Sequence, residues 1–140
     1  METKSHPMSV RLSPAAHNFV ASEARRTKRS RGWVLQGLIE ESMRSRLFPG
    51  IAFRGPDSSR RAWLIGTALD VWQIVEAYRD FSSIEEMSNS GDLSGRQIRL
   101  ALEYYAQYPD DIDEALAENN RTLAEYRRMS AAARTPRTNV

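Results

Sequence analysis

Residues 8–47 read MSVRLSPAAHNFVASEARRTKRSRGWVLQGLIEESMRSRL, and the fold turns on the first five of them. Met8-Ser9-Val10-Arg11-Leu12 alternates apolar with polar side chains, the pattern of a strand buried on one face. Met8, Val10 and Leu12 then face a core, and Ser9 and Arg11 stand on the other side. Ser13-Pro14 supplies an N-cap followed by proline at the first helical position, where the missing N–H costs nothing. A first helix is predicted from Pro14 to about Arg26, with Ala16, Val20 and Ala24 on one stripe and Phe19 beside it. Thr27-Lys28-Arg29 breaks it. Ser30 caps a second helix, in which Val34, Leu35, Leu38, Ile39 and Met43 recur at helical spacing up to about Leu47.

One strand and two helices cannot close a sheet, and a lone strand leaves its N–H and C=O groups unpaired. Antiparallel pairing with the same strand of a second copy removes the difficulty. Met8, Val10, Leu12, Leu35, Leu38 and Ile39 then form a dimer core, and the ribbon presents Ser9 and Arg11 twice on one face. A two-stranded ribbon fits the DNA major groove, where arginine can donate two hydrogen bonds to guanine. The N–H groups at the start of the second helix (Ser30, Arg31, Gly32) suit a phosphate, with Lys28 and Arg29 beside them. Charge is distributed in keeping with this. Residues 1–46 hold nine Lys/Arg against four Glu, whereas residues 47–140 hold eleven Arg against fourteen Asp/Glu. A basic head on an acidic body is expected where one end meets a polyanion, although charge alone favours a solvated basic face.

The stretch from Met8 to Arg46 resembles the ribbon-helix-helix repressors of the MetJ/Arc/CopG class in its S-V-R-L strand, following helix, T-x-R-S turn and second amphipathic helix. That resemblance implies a DNA-binding homodimer. Two positions depart from the family pattern: Lys28 stands where a turn glycine is common, and Gly32-Trp33 replaces a polar pair.

Phe48-Pro49-Gly50 ends the second helix. The short apolar runs Ile51–Arg54 and Arg61–Ile65 flank Gly55-Pro56-Asp57-Ser58-Ser59, so residues 48–62 read as a β-hairpin or as a linker with aromatic anchors. From Asp70 the period becomes helical, with Val71, Ile74, Val75 and Tyr78 in one helix. Ser82 or Ser83 with Glu85 or Glu86 forms a capping box for a short helix carrying Ile84 and Met87. After the turn at residues 89–92, Ser94-Gly95-Arg96-Gln97 opens a helix with Ile98, Ala101, Leu102 and Tyr105. Residues 63–109 thus make a small helix-turn-helix-like module, on which Arg96 and Arg99 offer a second, lower-ranked place for DNA contact. Asp110, Asp111, Asp113 and Glu114 crowd the first turn of a last helix, where the macrodipole favours negative charge. That helix spans 110–129 with Ile112, Leu116, Leu123 and Tyr126, and 130–140 is expected to be a disordered tail.

The runs LIGTALDVWQIVEAYRDFSSIEEM and RQIRLALEYYAQYPDDID resemble a small bacterial domain of unknown function marked by G-T-x-x-x-V-W-x-I-V and A-L-x-Y-Y-A-x-Y-P. That domain occurs in antitoxins of the VapB kind, and the FPGIAFRG connector after a ribbon-helix-helix unit is similar to such two-part antitoxins. Ala68 stands where an arginine is usual after G-T. The resemblance implies two partners: operator DNA and a PIN-domain (VapC-like) ribonuclease toxin, within a homodimer or a higher toxin–antitoxin assembly. An antitoxin can fill a carboxylate-lined nuclease centre with an arginine, whose charge and planar fork replace the metal. The toxin-binding candidates are Leu116, Arg121, Leu123, Tyr126, Arg127 and Arg128, with Arg134 or Arg137 further on. Each arginine taken singly is also readable as an exposed helix residue near Glu118 or Glu125.

In fold class the chain is therefore expected to be mainly α with short β, with a ribbon-helix-helix dimerisation unit (1–47), the small helical module and a long C-terminal helix. It reads as no enzyme. The 140 residues include no cysteine, and His6 and His17 have no second ligand one helical turn on, so neither a metal nor a cofactor is expected. No phosphate-binding glycine loop or nucleophile elbow occurs. No apolar run approaches the ~20 residues of a membrane span, and no secretory leader is evident, which makes a cytoplasmic protein the default. The alternative to an antitoxin is a ribbon-helix-helix transcriptional regulator with no toxin partner.

Overall fold

The computed structural model describes residues 5–57 and 59–134. Among them are six helices and one two-stranded antiparallel sheet, so the chain is mainly α with short β. It divides into two compact units, Met1–Met43 and Arg44–Val140.

The first unit contains α1 (Pro14–Thr27) and most of α2 (Arg31–Leu47). Ser13 Oγ accepts the Ala16 N–H at 3.2 Å, and with Pro14 this fixes where α1 begins. Lys28 ends α1 at φ +56°, a left-handed conformation that costs a residue with a side chain about 1 kcal/mol. The N–H groups of Lys28 and Arg29 both close on the Ala24 carbonyl. Ser30 caps α2, its Oγ accepting the Trp33 N–H at 3.0 Å. Val20, Ala24 and Val34 are buried, with Leu12 and Leu35 packed on them. Three buried side chains are a thin core for a unit of this length, in the size range where oligomerisation commonly supplies the missing stability. Among the described residues, 8–12 belong to no strand or ladder, so the expected strand is not formed within a single copy. The pairing expected for them is with a second copy.

The second unit is built on the hairpin β1 (Ile51–Arg54) and β2 (Arg61–Leu64), in register Ile51 to Leu64 and Arg54 to Arg61. Gly55 begins the connection at φ +107°, where a Cβ would lie 2.7 Å from the Ser59 carbonyl oxygen. Ile51, Ala62 and Leu64 face inward. They meet α3 (Val71–Tyr78), α4 (Ile84–Ser90), α5 (Gly95–Gln107) and the start of α6 (Pro109–Arg134) in one core, where Val71, Ile74, Ile98, Ala101 and Tyr104 are fully buried. Helix starts follow local chemistry. Asp70 N–H donates to Gln73 Oε1 at 2.8 Å, and the Ser94–Gln97 box is made in both directions. Ser83 Oγ accepts from Glu86 N–H, while the Glu86 carboxylate accepts the Ser82 N–H.

Arg54 and Arg61 face each other across the hairpin, a juxtaposition that repels. Each is offset by an acid: Arg54 lies 2.8 Å from Asp70 and over the Trp63 ring, and Arg61 lies 2.8 Å from Glu118. Tyr104 anchors the centre. Its ring meets Phe48 edge-on at 5.4 Å and Tyr108 at 5.1 Å, and its hydroxyl accepts from Arg44 at 3.3 Å. Arg44 also pairs with Asp111 and stacks on Tyr108 at 4.1 Å. Burial works against the Arg44 charge, but its bonds to Tyr104 and Asp111 outweigh that and hold its pKa above the ordinary value. Burial raises the Tyr104 pKa, against the pull of Arg44.

Of the two forms expected for residues 48–62 the chain takes the hairpin, and several expected segment limits differ from those of the structure. The hairpin is no linker, because Ile51, Ala62 and Leu64 belong to the same core as the helices and as Ile112 and Leu116 of α6. Segments 48–62, 63–109 and the start of the last helix therefore fold as one body. That body begins at Arg44 instead of Phe48, since Arg44 docks on Tyr104, Tyr108 and Asp111. The last helix also runs to Arg134, so residues 130–134 are helical instead of an irregular tail. Ser130 is followed by three alanines, the strongest helix formers, and nothing there stops the turn. Residues 135–140, with Arg137, lie outside the described residues.

Candidate nucleic-acid interface and partner surface

Arg11 and Ser9 are exposed in the segment that leads into α1. Their apolar neighbours are exposed as well: Met8 is 89% and Val10 56% accessible, and only Leu12 touches the small core. On α2 the i, i+4 row Leu35, Ile39, Met43 and Leu47 is likewise uncovered beyond its first member, with Ile39 at 61%. Leu38 is exposed at 40%. The sequence-predicted dimer residues thus gather on the unit whose own core is smallest, and the single chain leaves most of them without a cover.

The turn between α1 and α2 brings the phosphate-binding candidates Lys28, Arg29, Ser30, Arg31 and Gly32 into one short reversal. All five are exposed. Val34 makes the first backbone bond of α2, to the Ser30 carbonyl, so the Arg31 and Gly32 N–H groups precede the hydrogen-bonded ladder. A Cβ at Gly32 would meet only Ser30 Oγ, at 3.9 Å. The chain's own packing therefore does not require glycine there, and its absence of a side chain leaves the backbone open to approach. One feature of this turn escaped the reading of motifs: the Arg29 guanidinium lies over the Trp33 ring, 5.0 Å from its centroid. The signal was the i, i+4 spacing of an arginine and an aromatic residue across a helix start.

On α6 the toxin-binding candidates separate. Leu116 is 5% exposed and belongs to the chain's own core, so it cannot serve a partner. The helix continues the same stripe outward through Leu123 (44%) and Tyr126 (71%), with Met129 beside it at 72%. Arg121, Arg127 and Arg128 are exposed around this stripe. Glu118, one acid near them in sequence, is bound to Arg61. Asp111 and Asp113 have partners of their own in Arg44 and Tyr105, so the acidic start of α6 does more than complement the helix dipole.

The motifs of the second unit are consumed by folding. Thr67 Oγ1 donates to the Leu64 carbonyl at 2.8 Å and accepts the Leu69 N–H at 3.1 Å, which shapes the turn from β2 to α3. The Ala68 carbonyl accepts from Arg54 at 2.9 Å. Trp72 Nε1 donates to Asp70, and Val71, Ile74 and Val75 are buried. Arg96 and Arg99 are exposed on α5. No group of three or more His, Asp or Glu side chains gathers into a metal-binding cluster among the described residues. Nor is any described helix long and apolar enough to cross a membrane. Comparison with family models, with curated proteins and with solved structures finds no match for this chain, so the reading of both surfaces rests on their chemistry.

Proposed function

We propose that the chain is the antitoxin of a toxin–antitoxin pair, a homodimer that binds its own operator and neutralises a PIN-type ribonuclease. The observation that carries the DNA half is the coincidence, in one small unit, of an uncovered apolar set with exposed Arg11, Ser9 and a basic turn. Residues 8–12 of two copies pair as an antiparallel ribbon, burying Met8, Val10 and Leu12 against α2. Arg11 and Ser9 read bases in the major groove, while Lys28, Arg29 and the amides of Arg31 and Gly32 hold phosphates. The outer half of α6 supports the second activity: Leu123 and Tyr126 supply apolar anchors, and Arg121, Arg127 and Arg128 suit a carboxylate-lined centre.

Arg11→Ala tests the reading face. Each lost bidentate contact costs ~1–3 kcal/mol and occurs twice per dimer, so operator affinity falls from about 30-fold to 10⁴-fold. Binding to unrelated duplex changes far less. Operator binding equal to wild type would refute the assignment. The partner is tested first by whether a PIN-type nuclease is encoded beside this chain's gene, and then with that nuclease purified: the antitoxin reading requires such a gene, a stable complex and loss of nuclease activity. A specific DNA-binding dimer that leaves such a nuclease active is a plain regulator.

A further inference from the structure

Trp33 has no place in the small core of its unit and is 46% exposed on the first turn of α2. Its ring is covered by the Arg29 guanidinium, 5.0 Å from the centroid. Several of the chain's other arginines are paired with acids, among them Arg26 with Glu23, Arg54 with Asp70 and Arg61 with Glu118. Arg29 differs, since among the described residues no carboxylate pairs with it. A carboxylate would consume the N–H edge of the guanidinium. A ring face holds the cation through its π-electrons and leaves that edge free for an outside anion. The backbone beneath is fixed, because Arg29 N–H bonds to the Ala24 carbonyl at 3.1 Å and the Ser30 cap holds Trp33 N–H at 3.0 Å.

We propose that Trp33 is a positioning residue that holds the face of Arg29 and turns its N–H edge toward a DNA phosphate. This rests on the DNA-binding reading above and adds a role for a residue that reading leaves unused. Arg29 stands in the turn just before α2 and Trp33 in the first turn of that helix, so the platform lies within one short segment and repeats in each copy.

The test uses the full chain and a duplex carrying the promoter upstream of its own gene, with a scrambled duplex as control, titrated over a range of salt. Trp33→Ala weakens promoter binding about 5- to 30-fold, as two exposed cation–π contacts per dimer require. Trp33→Phe keeps a ring and stays within about threefold of wild type. Arg29→Ala weakens binding and lowers the slope of log affinity against log salt by about 2, one phosphate contact per copy. In the Arg29→Ala background, adding Trp33→Ala changes nothing further. Equal losses from Trp33→Ala in both backgrounds would overturn the proposal, and so would a Trp33→Ala chain that binds like wild type. A wild-type chain that binds neither duplex defeats the DNA reading itself, an outcome distinct from either.

Discussion

Ile39 offers the sharpest quantitative test of the uncovered face on α2. It is 61% exposed in the single chain, so roughly three-fifths of the ~1.5–3 kcal/mol available from burying an isoleucine remains to be gained by association. Truncation to alanine keeps one carbon of that side chain and forfeits about 1–1.5 kcal/mol per copy. A two-fold interface counts the loss twice, giving about 2–3 kcal/mol and a dimer dissociation constant raised some 30- to 150-fold. Sedimentation equilibrium of the full chain over a dilution series reads this directly. Gln36→Ala, an exposed position on the same helix outside the apolar row, is the control and leaves association unchanged. A mass equal to the monomer for wild type at high micromolar concentration would refute the reasoning. An unaltered dimer for Ile39→Ala would place the interface on another face.

On the proposed antitoxin reading, the double substitution Leu123→Asp, Tyr126→Asp removes two exposed anchors and weakens complex formation with a PIN-type nuclease partner by more than about thirtyfold, measured by calorimetry. Thermal unfolding of the free chain is unchanged by it, because neither side chain belongs to the core. Tyr104 predicts the alkaline limb of stability. Burial raises its folded pKa, so the stability linked to its proton is complete below about pH 10 and is lost as pH climbs through the folded value. Urea midpoints measured between about pH 9 and 12 fall for wild type, and Tyr104→Phe flattens that fall. A parallel decline in both chains would exclude Tyr104 as its source.

Much of this architecture is local in origin and was legible for that reason. Ser13-Pro14, Ser30 and the Ser94–Gln97 box act within three or four residues, and each marks a helix start where it was expected. What escaped the sequence is non-local. Arg44 meets Tyr104 and Asp111 across 60 and 67 positions, and no spacing rule joins an arginine near the end of one helix to an acid on another. The apolar stripe of α6 was visible, yet period alone does not say where packing stops. Leu116 and Leu123 sit two turns apart on one face, and one is buried while the other is exposed. The choice between hairpin and linker likewise needed the register of Ile51 with Leu64 and their burial in the larger core. At the candidate DNA surface, the residue types and their adjacency were readable, whereas the stacking of Arg29 on Trp33 went unread although the two lie four positions apart.

The pairing of residues 8–12 between copies is the point on which the account stands, and the lack of any cysteine makes it directly measurable. Val10→Cys introduces a single thiol at the middle of the segment. Antiparallel ribbon partners bring equivalent central Cα atoms to about 4.5–5.5 Å, inside the range a disulfide can bridge. Mild oxidation of the full-length variant then yields a covalent dimer in high yield at low micromolar concentration, and that dimer still binds promoter DNA. A variant that stays monomeric under the same oxidation, or that crosslinks only into a form unable to bind DNA, would contradict the ribbon.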